Sequence, residues 1–163
     1  MDAIPDFHPL AELQAASALL LDWERLTRSA HCHFHEGRLD AALALQSDAL
    51  RHACSLMATA LLDLRPDDVL AAWVVSHHNL ADTRARRQEY ALAAEHLLEA
   101  HAGLVDLAET PGNSATLRQS ALRHMRETRW ALLAWQRDHG HHTPVDTSLP
   151  LLRQGDPSAG FLH

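Results

Sequence analysis

Apolar and polar positions alternate with the period of an amphipathic helix from Pro9 to about Glu36, and Pro9 stands where a first helical residue would. Gly37 and Arg38 interrupt the pattern, with Gly37 free to take the left-handed conformation that closes a helix. A second stretch runs from Leu39 to about Leu64 and stops at Arg65, because the residue before Pro66 disfavours helix. Asp67 is placed to cap a third, which reaches about Arg86. A polar turn at Arg87 and Gln88 leads into a fourth, from Tyr90 to about Thr110. Pro111, Gly112 and Asn113 break the chain again, and Asn113 or Ser114 caps a fifth stretch ending near Asp138. The pattern predicts an all-α domain over residues 1–138, built of five long antiparallel helices with short turns, stacked as hairpins. Residues 139–163 read as an irregular C-terminal tail containing histidine and proline, with Leu149, Leu151, Leu152 and Phe161 apolar enough to dock.

Composition agrees with this reading. Ala and Leu number 28 and 29 of 163 residues, whereas Val and Ile together number 6, too few for a sheet of any size. A chain of this length buries a real core without disulfide or metal staples. The net charge of −7 argues against a nucleic-acid footprint, and all 14 basic residues are arginine. The 14 histidines make charge sensitive to pH, since about half of unperturbed imidazoles are protonated near pH 6.5. No apolar run approaches the ~20 residues of a membrane span, and the N-terminus lacks a basic signal-peptide region. Cys32 and Cys54 form no CxxC pair. A hairpin turning near residue 38 leaves them ~15 Å apart along the helix, so no disulfide is expected and both read as buried small hydrophobes. A soluble cytoplasmic protein is the expectation.

Small residues recur in an ordered way. Ala42 is followed seven residues later by Ala49, and Ala93 by Ala100, each preceded at three residues by Leu39 or Tyr90. Such alanines let the helices of a hairpin approach closely. Over residues 23–101 the pattern resembles the tetratricopeptide repeat, although the spacing of 93 − 42 = 51 residues exceeds the usual ~34 and requires longer helices. The segment Ser76-His77-His78-Asn79-Leu80-Ala81-Asp82 is also similar to a signature of the uncharacterised bacterial DUF2753 family, with His78, Asn79, Ala81 and Asp82 as the matching positions. That resemblance implies a helical-hairpin fold and brings no activity, cofactor or catalytic residue.

In a stack of helical hairpins the first helix of each pair lines a groove. On one such helix Glu24, Arg28, His31 and His35 share a face, and on the next His78, Asp82 and Arg86 do. The leading expectation is a non-enzymatic adaptor. Arg28, Asn79 and Arg86 would hydrogen-bond a peptide or protein partner, and His31, His35, His78 and Asp82 would complete a polar floor. The alternative is a metal-binding protein or metal-responsive regulator in which His31, His35, His78 and Asp82 converge on one divalent ion, zinc, copper or iron. The His139-Gly140-His141-His142 cluster sits at a helix end and reads as adventitious. Enzyme signatures are missing: there is no HExxH, GxSxG, P-loop, GxGxxG or ExxH. Trp23 and Trp73 fall at corresponding positions of the two repeats and read as core. Trp130 and Trp135, with Leu132 and Leu133, make the arginine-rich last helix apolar on more than one side, as a helix that caps the stack or joins a second copy would be.

Overall fold

The computed structural model describes residues 9–140, all of whose regular elements are helices: α1 (Pro9–His35), α2 (Leu39–Met57), α3 (Leu61–Leu64), α4 (Pro66–Arg86), α5 (Tyr90–Glu109) and α6 (Ala115–His139). Five are long and match the predicted stretches to within a residue or two, except that the second is shorter. Thr59 is the reason. Its hydroxyl donates to the Leu56 carbonyl at 2.8 Å and accepts from the Leu61 amide at 3.3 Å, so α2 ends and a one-turn α3 begins. Helix α4 starts with Pro66 as its first residue and has no side-chain cap. Asp67 does not cap it; its carboxylate reaches α6, where Arg123 donates to it at 2.6 Å and Ser120 also bonds it. Ser114 does cap α6, accepting from the Leu117 amide at 3.2 Å. Gly37 takes a φ of 75°, and Gln88 takes a φ of 63° at the α4–α5 turn.

Helix α1 packs chiefly on α2, α4 on both α2 and α5, and α6 on α5, while α4 also touches α1 and α6. Side-chain pairs fix the directions. Trp23 bonds Ser76 and Arg86 bonds the Phe34 carbonyl, at separations of 53 and 52 residues, so α1 and α4 run parallel. His77 meets His96, and Trp73 lies against Gly103, so α4 and α5 run antiparallel.

The core is built from small residues as foreseen: Ala42, Ala49, Ala93 and Ala100 are all buried. One apolar cluster joins α1, α2, α3 and α4 through Leu20, Leu56, Leu61 and Val69. A second joins α4, α5 and α6 through Leu70, Leu104 and Leu117, and a third closes the other end of those helices with Leu97, Leu132 and Trp135. Trp23 and Trp73 pack against the first and second clusters respectively. Truncating one of these leucines to alanine typically costs about 2–5 kcal/mol. Both cysteines are free, but they are exposed rather than buried. Cys54 stands about 100° round α2 from buried Ala53, and Cys32 about 200° round α1 from buried Ala30, so each falls off the core stripe. No helix among the described residues is long and apolar enough to cross a membrane. Leu149, Leu151, Leu152 and Phe161, along with His141 and His142, lie outside the described residues.

Candidate functional site

Parallel α1 and α4 leave a trough between them, and it holds two adjoining recesses. One, of about 410 Å³, is lined by Trp23, Glu24, Thr27, Arg28, His31, Val75 and Asn79. The other, of about 270 Å³, is lined by His31, Phe34, His35, Gln46, Asn79 and Asp82. His31 and Asn79 belong to both, so the recesses adjoin in one channel along the helix pair, with polar groups set among apolar ones. At its far end the Arg86 guanidinium sits 4.9 Å over the Phe34 ring and donates to the Phe34 carbonyl at 3.3 Å. Six of the seven residues expected to form a groove are therefore gathered here: Arg28, His31, His35, Asn79 and Asp82 as lining, and Arg86 as a brace.

His78 is the exception. Asp82 faces the channel, and four residues along a helix carry a turn of about 40°. That turn swings His78 toward α6, where it lies close to Glu127 as well as Asp82. Burial lowers its imidazole pKa, opposed by those two carboxylates. Burial also raises the Asp82 carboxyl, opposed by His78. His31 and His35 do make an i,i+4 pair, with ring centroids 4.1 Å apart. Yet His31, His35, His78 and Asp82 do not bring their donor atoms together. Among the described residues the metal-type grouping lies elsewhere. His33 points away from the channel, as its position required, and accepts from Arg38 Nε at 2.8 Å. His139 stacks on Trp135 at 3.7 Å, which gives it a packing role at the end of α6.

The grouping that does assemble is His77, His96 and Glu99, inside the α4–α5 hairpin. The two Nδ1 atoms are 3.3 Å apart, and Glu99 Oε2 stands 3.7 Å from His77 and 3.9 Å from His96. The His77 side chain is only 2% exposed. Burial, with His96 and His78 nearby, pushes its pKa down to about 4. Burial lowers His96 as well, against the pull of Glu99. Sequence reasoning missed this cluster because it set the first helices of successive hairpins against each other and did not fold α4 onto α5. Folding the chain about the turn at Arg87–Gln88 sets residue 77 opposite 87 + 88 − 77 = 98, between His96 and Glu99. The arithmetic that separates the cysteines thus brings these residues together.

The structure defines an all-helical protein with a trough between α1 and α4 and a histidine–carboxylate cluster within a hairpin. Residues 21–154 match the family model described as protein of unknown function, DUF2753, and the chain belongs to that family. No curated protein and no solved structure matches it.

Proposed function

We propose that this protein is a non-enzymatic binding module of tetratricopeptide-like form, whose α1–α4 channel receives an extended peptide segment bearing a carboxylate. The carrying observation is the pair of adjoining recesses that share His31 and Asn79. Asn79 both donates and accepts, which suits an extended backbone. Arg28 has no ion-pair partner among the described residues and supplies a planar donor for a carboxylate. The repeat reading rests on similar offsets between successive first helices. These are 52 and 53 residues from α1 to α4, and 53 and 56 from α4 to α6, close to the 51-residue echo of alanines. An ion held by His31, His35, His78 and Asp82 is not favoured, because among the described residues these four do not bring their donor atoms together. The two free, exposed cysteines suit a reducing, cytoplasmic setting.

The experiment is a selection of random peptides with free C-termini on the immobilised chain, with each enriched peptide retested on Arg28→Ala and Asn79→Ala. Peptides that carry a carboxylate and weaken about tenfold or more on either variant support the channel. Binders indifferent to both Arg28→Ala and Asn79→Ala would overturn it.

A further inference from the structure

We infer that His77, His96 and Glu99 form a binding site for one divalent transition ion, of which zinc is the best match. This site is separate from the peptide channel and independent of it. Three donors from two helices converge: His77 Nδ1 from α4, and His96 Nδ1 with a Glu99 carboxylate oxygen from α5. Nitrogen ligands about 2.0–2.1 Å from a tetrahedral ion stand roughly 3.3–3.4 Å apart. The observed Nδ1 to Nδ1 distance of 3.3 Å lies on that edge length, and the edges to Glu99 of 3.7 and 3.9 Å need only a small movement of an exposed side chain. Two imidazoles and one carboxylate are a recurring zinc donor set that leaves a fourth position for water or another ligand.

Burial gives the second reason. A nearly inaccessible imidazole is costly in a core unless its nitrogens are used. The polar contacts of His77, His96 and Glu99, both lie at Nδ1, so that nitrogen is the one an ion would use. Without an ion, one of the two facing Nδ1 atoms must carry a proton and donate to the other. With an ion, both Nδ1 lone pairs are used, and the single Nδ1 proton moves to the Nε2 of its own ring. The His77 ring is already held edge-on by Trp73, with centroids 4.4 Å apart, so its orientation is set in advance. An approach exists: His96 lines a recess of about 490 Å³ shared with Cys54, Arg84 and Leu80, and Glu99 is 62% exposed. Arg84, the cation facing His96, is engaged by Glu89 at 2.5 Å.

The test is calorimetric titration of the full chain, stripped with chelator, using zinc chloride, with cobalt(II) absorption as a report on geometry. The site predicts one equivalent bound tightly and the intense visible bands of four-coordinate cobalt. Loss of an outer-shell partner alone commonly weakens a site about 10–100-fold, so His96→Ala and Glu99→Gln should each weaken zinc by at least about tenfold. His31→Ala with His35→Ala should leave binding unchanged. Circular dichroism checks each fold, and Glu99→Gln, at an exposed side chain, keeps the test valid if His96→Ala does not fold. No stoichiometric zinc, binding indifferent to both ligand variants, or binding lost with His31 and His35 would each overturn the inference.

Discussion

Two histidine clusters lie on opposite sides of α4, and they differ in how they are made. His31 and His35 are neighbours along one helix, and their exposed rings line a channel. His77 and His96 meet across a hairpin, with His77 buried beneath Trp73. An i,i+4 pair sets two side chains on one face but cannot choose what that face meets. A cross-hairpin pair is chosen by the packing itself, which fixes both rings before any ligand arrives. Surface imidazoles suit adaptable contact with a polar partner, and buried, pre-oriented ones suit an ion.

This contrast is sharpest in its dependence on pH. In the folded, chelated chain His77 stays neutral down to about pH 4, while an unfolded imidazole protonates near 6.5. Protons therefore favour the unfolded state. Stability is full above pH 6.5, declines as pH falls toward 4, and levels off below. A shift of this size is worth about 3 kcal/mol. His78, His96 and His101, all lowered chiefly by burial, add losses of the same sign. Asp67 and Glu89, whose arginine partners hold them below the usual carboxylate range, lose their contributions only at more acid pH. Urea midpoints at pH 7 and pH 5 in chelator check this, and a flat profile would contradict it.

Next in size is truncation. His77→Ala removes a buried ring and should cost about 2–3 kcal/mol in urea unfolding, whereas His31→Ala at the exposed channel should stay within about 0.5 kcal/mol. Arg28→Ala should leave stability unchanged while weakening a selected peptide about tenfold, or roughly 1.4 kcal/mol, by calorimetry. A similarly small effect on stability is expected at the outer face of α6. There Leu122 and Leu133 are exposed and Trp130 is 73% exposed, in a stripe that Arg126 shares. The homodimer through this helix that the sequence leads us to expect would cover the stripe. Sedimentation should then give a dimer mass for the wild type and a monomer mass for Trp130→Asp, with unfolding shifted by less than about 0.5 kcal/mol in the monomer.

Most of the fold was legible because its punctuation is chemical. Gly37, Pro66 and Ser114 stop and start helices for local reasons, and local reasons can be read in a sequence. Thr59 was not read, since a threonine that diverts the helix ladder looks like one that does not. Asp67 was misread because two roles, capping its own helix and bonding α6, use the same side chain. The channel was largely legible from face and offset. His78 was assigned to it because i,i+4 pairing ignores the 40° turn that hands a residue to the next neighbour. The ion cluster needed distance across a hairpin, which the turn at Arg87–Gln88 encodes.

The two clusters are most directly separated by imidazole-detected NMR of the full chain, first with one equivalent of zinc and then with a selected peptide. The account predicts that zinc moves the ring signals of His77 and His96 and leaves His31 and His35 in place, and that the peptide does the reverse. Zinc shifts centred on His31 and His35, or one common response to both ligands, would contradict it.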